Sequence, residues 1–333
     1  MAAILVVGGG IMGLWQALTL AGEGHDVRLM EKSVAPFAEA ASRHGGAMIA
    51  PWCEAESAEP VVAELGADSV DLWHSAYPEL KRNGSLVVAP PRDIPELGRF
   101  ARMTSHFDQL DAPAIAALEP ALGERFGKAL YYPTEAHLEP EHANQALLRL
   151  ARTRSVETVF GTAWDGHRPP ARDFVIDCRG IAARDRLPEL RGVRGEMLII
   201  ETGEIELQRP VRLLHPRFPL YIVPWARNRF MVGATMIESE DSGPATVRSA
   251  LDLLGLAYTL HPAFGEARIV SFGAGLRPAF PDNVPKIIAR GRIILVNGAY
   301  RHGYLLAPVL ARLVADYIRG ETVRRDVLIE DHA

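Results

Sequence analysis

Three glycines and one glutamate near the start of the chain have the types and spacing of a nucleotide site. Gly8, Gly10 and Gly13 form a G-x-G-x-x-G pattern, and Glu31 follows about twenty residues later. The first glycine permits a sharp turn, the second lets the backbone approach a pyrophosphate, and the third lets a helix pack closely on a strand. The carboxylate would accept ribose hydroxyls and disfavours a 2′-phosphate, so the pattern predicts FAD or NAD rather than NADP. The alternative is a glycine-rich turn that binds no ligand.

The residues around this pattern predict the elements that must hold it. An apolar run at residues 4–7 indicates a buried strand, and residues 11–18 continue as a helix that ends near residues 22–24. A second strand at residues 25–30 then leads to Glu31. This order is the start of a βαβ unit, in which the helix N-terminus points at the phosphates.

The rest of the chain predicts a second, inserted domain. We expect strands at residues 85–89, 156–160, 174–177 and 293–296, short antiparallel strands within 192–230, and helices at 60–80, 96–118 (in pieces), 141–152 and 305–318. This order predicts a nucleotide domain built from separated segments, with a sheet domain between them. We place the nucleotide domain at residues 1–80, 140–192 and 270–333, and the substrate-binding domain at residues 81–139 and 193–269.

Composition excludes several classes of function. The 333 residues carry a formal net charge of -5, which leaves no basic surplus for a nucleic-acid partner. The two cysteines, Cys53 and Cys178, lack C-x-x-C spacing, and no histidine pairs with a carboxylate as in a zinc site, so we expect no metal. No apolar run reaches the roughly 18 residues of a membrane span, and the first strand begins too early for a signal peptide. We therefore expect a cytoplasmic protein.

Five further motifs carry a family resemblance. They are HLEP at residues 137–140, RGEML at 194–198, VGATM at 232–236, GLRP at 275–278 followed by Pro281-Asp282, and YRHGYLLAP at 300–308. Together with GGGIMG at residues 8–13 they resemble the FAD-dependent D-amino-acid oxidase superfamily, most closely its glycine oxidase and sarcosine oxidase-like branch. The resemblance implies an α/β fold: a Rossmann-like FAD-binding domain with an inserted antiparallel-sheet substrate domain, of the D-amino-acid oxidase and glutathione-reductase-2 type.

The resemblance also implies a reaction. Members bind FAD and deaminate a small amino acid or secondary amine (glycine, sarcosine or a D-amino acid) by hydride transfer to flavin N5, with oxygen as acceptor and hydrogen peroxide as product. The substrate reacts as its free amine, so the protein mainly orients it. Two alternatives stay open: an amine dehydrogenase that uses a quinone or a protein acceptor, and an accessory flavoprotein that acts on a partner polypeptide. The expected partner is a small amine or amino acid, with homo-oligomers as a further possibility.

Three residues match the family's substrate-orienting groups. Arg277 matches the arginine that binds the substrate carboxylate, a task for which a guanidinium fork suits better than a lysine. Tyr221 matches a tyrosine that assists the same carboxylate, although a strand tyrosine also serves as plain packing. Arg301 matches a second arginine near the flavin, either in contact with the active site or in a structural ion pair.

Residues in the stretch 48–52 match positions that lie close to the substrate in the family. These are Met48, Ala50 and Trp52, and Trp52 is bulkier than expected for a plain glycine oxidase. It would narrow the pocket or form a flat wall for a larger amine. Glu54, Glu56 and Glu59 form an acidic cluster, which we expect to be a solvated helix start; the alternative is attraction of a cationic substrate.

The family pattern also predicts the residues around FAD. The backbone at residues 302–305 matches the segment whose N–H groups face the flavin pyrimidine oxygen and stabilise the reduced flavin. His44 matches a position that in some relatives is bonded covalently to flavin; the alternative is a hydrogen-bonded histidine near FAD. Arg43 either reaches the pyrophosphate or flavin or lies on the surface. The full predicted set is Gly8, Gly10, Ile11, Met12, Gly13, Glu31, Lys32, Arg43, His44, Gly46, Ala47, Met48, Val159, Gly180, Arg277, Arg301, His302, Gly303, Tyr304 and Leu305.

Overall fold

The computed structural model describes residues 1–169, 171–215, 219–321 and 324–331, and its strands form two large sheets and one small one. The strands are β1 Ala3–Val7, β2 Asp26–Met30, β3 Met48–Ile49, β4 Ser85–Val88, β5 Asp108–Asp111, β6 Lys128–Tyr132, β7 Ala136–His137, β8 Glu157–Val159, β9 Phe174–Asp177, β10 Arg191–Glu201, β11 Val211–Leu213, β12 Leu220–Trp225, β13 Arg229–Gly233, β14 Arg268–Ala279, β15 Lys286–Arg290, β16 Ile293–Asn297 and β17 Leu328–Glu330. The helices are α1 Ile11–Gly22, α2 Pro60–Gly66, α3 Ser69–Ala76, α4 Ile94–Met103, α5 Ala112–Leu118, α6 Pro140–Thr153, α7 Val247–Leu260 and α8 Gly303–Ile318.

The first large sheet has the strand order β17-β15-β16-β9-β1-β2-β8. Neighbours from β16 to β8 are parallel, whereas β15 runs antiparallel to β16. Because the carboxyl ends of parallel strands meet at one edge, the segments after β1, β2 and β9 come together there. Gly8, Glu31 and Gly180 lie in these segments.

Helices α1, α6 and α8 pack together against this sheet. Every residue of β1 from Ile4 to Val7 is buried, and α1 buries residues on most of its circumference, among them Leu14 and Leu18. A helix that is apolar nearly all round belongs inside a core, and α8 covers the side of α1 that would otherwise be exposed. No helix in the described part of the chain has the length and hydropathy of a membrane-crossing segment.

The second large sheet has the order β14-β10-β13-β12-β11-β4-β6-β5 and is antiparallel except where β11 meets β4. Successive side chains of a strand point to opposite faces. Thus Leu198 and Ile200 of β10 join the core beneath α7, whereas Met197 and Ile199 join a cluster with Tyr221 on the other face. Tyr221 therefore lies on the face that α7 does not cover.

The predicted helix at residues 60–80 was wrong in its extent. Residues 60–80 form α2 and α3 instead of one helix, and α3 ends at Ala76 because Tyr77 precedes Pro78 and leaves the helical conformation (φ -141°, ψ 85°). The helical pieces predicted within residues 96–118 are α4 and α5, and the strand β5 between them was not predicted. Asp111 caps α5 through the Ala114 amide at 3.0 Å. The predicted domain limit at residue 270 falls inside β14, which pairs with β10 along its length. The domain limits stay a prediction.

Candidate active site

The turn between β1 and α1 depends on glycines at two positions and leaves room for a side chain at a third. Gly8 has φ +99°, and a Cβ at Gly13 would lie 1.9 Å from the Gly8 carbonyl oxygen. At Gly10, by contrast, the nearest atom to a Cβ would be 3.6 Å away. Gly10 caps α1 without any side-chain hydrogen bond, and the first turn of α1 has no acidic residue. These features fit a pyrophosphate that approaches the backbone at Gly10.

Glu31 lies beside this turn. Its Oε2 atom accepts from the Gly9 amide at 2.6 Å, and its Oε1 atom accepts from the Ser33 amide at 2.8 Å. The Glu31 amide donates to Val159 of the neighbouring strand β8 at 2.8 Å. An ionised carboxylate has about four acceptor positions, so two remain for ribose hydroxyls. The residues present therefore fit the adenosine half of FAD.

Two predicted residues, Ile11 and Tyr304, are joined in a wall next to α1 by Ser42 and Asn144, which were not predicted. The hydroxyl of Ser42 accepts from the Ile11 amide at 3.3 Å, and its carbonyl accepts from the Tyr304 hydroxyl at 3.1 Å. Asn144 donates to the same Tyr304 hydroxyl at 2.9 Å. The 3-10 turn Ala41–His44 is thereby tied to the starts of both α1 and α8.

Other predicted cofactor residues lie around this wall. Gly303 begins α8, Met12 and Leu305 pack in the main core, and Gly180 follows β9 with its carbonyl bonded to Asn297 at 2.9 Å. Gly46 and Ala47 precede β3, and a Cβ at Gly46 would overlap Met231.

Lys32 and Arg43 make contacts at the surface instead. Lys32 forms an exposed ion pair with Glu39 at 2.7 Å. Arg43 is exposed and donates to the Ala38 carbonyl at 3.4 Å. Their contacts with FAD stay a prediction.

His44 packs against β14 at two glycines. A Cβ at Gly273 would overlap the imidazole, and one at Gly275 would lie 3.5 Å from it. Burial, and after it the charge of Arg43, lowers the pKa of His44. The ring is therefore a neutral group seated on β14, and both predicted interpretations of His44 stay open.

An ionic cluster lies where β12, the Cys53–Glu56 turn and the segment before α8 meet. Glu54 accepts from Arg301 at 2.9 Å and from the Tyr221 hydroxyl, and Arg212 lies 3.8 Å away. The Glu54 side chain is only 12% exposed. Burial raises the pKa of Glu54, but Arg301 and Arg212 outweigh it and hold this pKa at about 2. The expectation of a solvated position was wrong for Glu54, because the 3-10 turn directs its carboxylate inward to the guanidinium groups.

Sequence reasoning missed Arg212. This buried residue donates to the Cys53 carbonyl at 2.8 Å and to Glu56 at 2.8 Å. Its guanidinium lies 4.6 Å from the Phe100 ring and 5.1 Å from the Tyr221 ring. A charge between Val211 and Leu213 in an apolar strand was the available signal.

Arg277 differs from the other two arginines in its partners. It donates to the Thr235 carbonyl at 3.0 Å, and its guanidinium covers Gly195, where a Cβ would overlap it. Among the described residues, no carboxylate forms an ion pair with Arg277. Burial, and after it the charge of Arg301, lowers the pKa of Arg277 to about 10. Arg277 is therefore a cation that no carboxylate among the described residues contacts directly.

His302 and Trp52 border the same cluster. His302 caps α8, and burial lowers its pKa to about 4, so it is neutral at pH 7. Trp52 donates to Thr134 at 3.1 Å and stacks on His106 with ring centroids 3.8 Å apart. Met48 packs against the hydrophobic cluster that contains Tyr221. Ala50 belongs to a second hydrophobic cluster, against which Trp52 packs. No group of three His, Cys, Asp or Glu side chains in the described ranges is placed to hold a metal.

Comparison with known proteins decides the family. Residues 3–317 match the DAO family, described as FAD dependent oxidoreductase. The chain belongs to this family. The prediction of an FAD-dependent oxidoreductase with a D-amino-acid oxidase type α/β fold is thus confirmed, and FAD is the cofactor that the β1–α1 turn fits.

Relatives within the DAO family span nearly the whole chain. A Rhizobium etli protein assigned to thiamine biosynthesis as the oxidoreductase ThiO is 54% identical over 97% of this chain and 99% of its own length. Glycine oxidase of Bacillus subtilis is 26% identical over 97% of this chain and 95% of its own length. The crystal structure of glycine oxidase from Geobacillus kaustophilus has a TM-score of 0.82 at 22% identity and covers 97% of this chain and 95% of that chain.

Proposed function

We propose that this protein oxidises glycine, or an amine of similar size such as sarcosine or a D-amino acid, to its imine, with oxygen as final acceptor and hydrogen peroxide as product. The observation that carries the proposal is the pairing of charges in the site. Glu54 pairs with Arg301 and Glu56 with Arg212, whereas no carboxylate in the described part of the chain pairs with Arg277. A ligand with one carboxylate would neutralise Arg277, and its planar fork suits a carboxylate.

The remaining groups orient that carboxylate. Arg301 is held by Glu54 at 2.9 Å, so its position is set before a substrate binds. The Tyr221 hydroxyl donates to Glu54, and a phenol has one proton, so Tyr221 donates to a substrate only by leaving Glu54. FAD, when bound, supplies the acceptor for the hydride that leaves the carbon next to the amine. The neutral His302 adds no further charge to the site at pH 7.

The relatives support this class of reaction and a role for it in a biosynthetic pathway. Glycine oxidases match over nearly the full chain, and the Rhizobium etli relative is assigned to thiamine biosynthesis. We propose that the imine formed here, or its hydrolysis product, serves the same biosynthesis.

Oxygen consumption and peroxide formation by the FAD-loaded protein test the proposal. We expect both with glycine, sarcosine or D-alanine, and neither with methylamine, which lacks the carboxylate that Arg277 would bind. Equal rates with methylamine and glycine would contradict the role of Arg277. Flavin reduction without oxygen consumption would favour the dehydrogenase, and no reaction with any small amine would favour an accessory flavoprotein.

A further inference from the structure

Glu135 is a buried carboxylate that the proposed reaction leaves without a role. It lies between β6 and β7 and is 0% exposed. Its Oε1 atom accepts from the amides of Trp52 at 2.9 Å and Cys53 at 2.7 Å, and its Oε2 atom accepts from the Ser85 hydroxyl. One side chain therefore joins the β6–β7 turn, strand β4 and the start of the Cys53–Glu56 turn.

The turn that Glu135 holds carries the central anion of the site. Glu54 directly follows Cys53, and its carboxylate contacts Arg301 and the Tyr221 hydroxyl. Movement of the backbone at Trp52 and Cys53 would displace the Glu54 carboxylate. The two groups that Glu54 holds would then lose their fixed positions.

We propose that Glu135 is a positioning residue for the substrate carboxylate, because it fixes the Trp52 and Cys53 amides and, through them, Glu54. The inference rests on the proposed function, in which Arg301 and Tyr221 flank that carboxylate. Burial of Glu135 at this position disfavours its charged form. Burial raises its pKa to about 7, although hydrogen bonds from Ser85 and Cys53 favour the charged form.

The test uses matched variants of the FAD-loaded protein. Glu135→Asp shortens the side chain by one methylene, so its oxygens no longer reach both amides. Glu135→Gln keeps the length and one carbonyl acceptor for the two amides. Glu119→Asp is the control, since Glu119 is equally buried but accepts from Gln208 and Arg209 instead.

Three measurements are made on each variant: amide hydrogen exchange of the peptide containing Trp52 and Cys53, the dissociation constant for acetate from the flavin spectrum, and KM and kcat for the amino acid. In Glu135→Asp we expect exchange and the dissociation constant to rise about tenfold, and KM for the amino acid to rise more than kcat falls. Glu135→Gln should stay within about threefold of the wild type, and Glu119→Asp within about twofold.

Each outcome decides the inference. Unchanged exchange in Glu135→Asp overturns the role in holding the turn, and faster exchange with unchanged acetate binding overturns the link to the substrate. Equal effects in Glu119→Asp indicate general loss of stability and also overturn it. If Glu135→Asp does not fold, Ser85→Ala is expected to raise exchange and the dissociation constant about threefold, and no rise contradicts the inference.

Failure of the proposed function gives a different result. A wild-type protein that neither binds acetate nor oxidises an amino acid refutes the proposed function, while hydrogen exchange still tests whether Glu135 holds the turn. A double variant separates direct from indirect action: in a Glu54→Gln background, Glu135→Asp should raise KM by less than about twofold. A full tenfold rise there would show that Glu135 does not act through Glu54.

Discussion

Replacement of Arg277 by methionine should make the ligand-free protein more stable while weakening carboxylate binding. The change Arg277→Met replaces the guanidinium side chain by a shorter, unbranched apolar one and removes its charge. The guanidinium has one hydrogen bond, to Thr235, and no carboxylate partner among the described residues. A cation in this position is favourable only when a ligand supplies the missing negative charge.

The magnitude follows from the pKa of Arg277. Burial and Arg301 lower this pKa from 12.5 to about 10, which corresponds to about 3 kcal/mol against the charged form. A lowered pKa of a basic group destabilises the folded protein at every pH below about 10, so the full penalty applies at pH 7. Arg277 is partly exposed, and its hydrogen bond contributes about 1 kcal/mol, so we expect a net gain of about 1–2 kcal/mol.

Denaturant unfolding and acetate binding measure the two effects. The free energy of unfolding should rise by about 1–2 kcal/mol, whereas loss of the charge pair should weaken acetate binding by about 2–5 kcal/mol. Arg301→Met is the matched control. It leaves Glu54 without its nearest cation and should destabilise the protein by about 3–5 kcal/mol. Equal destabilisation by both variants would refute the reasoning, because Arg277 would then have a structural partner.

Two further predictions concern FAD binding and pH. Gly13→Ala should prevent stable folding, since its Cβ would lie 1.9 Å from a backbone oxygen, whereas Gly10→Ala should fold normally and weaken FAD binding at least about tenfold in a fluorescence titration. Equal FAD affinity in Gly10→Ala and the wild type would contradict this. The free energy of unfolding should fall by about 3 kcal/mol from pH 6.5 to pH 4, because burial lowers the pKa of His137 and of His302 to about 4 and the unfolded chain binds these protons first. Each histidine lowers the free energy of unfolding by about 3 kcal/mol over this range, and Glu135, with a pKa raised to about 7, raises it by a similar amount. A free energy of unfolding that increases down to pH 4 in a urea series would contradict the account.

Local patterns were sufficient to predict the opening strand, turn and helix of the nucleotide-binding half, but they did not predict β15 and β17 of its sheet. The apolar run before Gly8 and the glycine spacing describe one continuous strand, turn and helix, and these interactions are close in sequence. The strands predicted at 174–177 and 293–296 were recognisable because both are short apolar runs buried between parallel neighbours or in the interior of the sheet.

The ionic cluster was harder to predict because its members are far apart in sequence. Glu54 contacts Arg301 across 247 positions, and Glu135 contacts Cys53 across 82. An acidic run such as 54–59 is typical of a solvated helix start, and nothing local shows that guanidinium groups surround one of its members. The family resemblance supplied Arg277, Tyr221 and Arg301, but it supplied neither Arg212 nor Glu135.

An anaerobic visible spectrum of the FAD-loaded protein, recorded before and after addition of glycine, tests the central claim most directly. The account predicts that glycine, or sarcosine or D-alanine in its place, bleaches the flavin band and that readmitted air restores it with formation of hydrogen peroxide. A flavin band that stays unchanged with every small amino acid, in a protein that retains its FAD, would contradict the account.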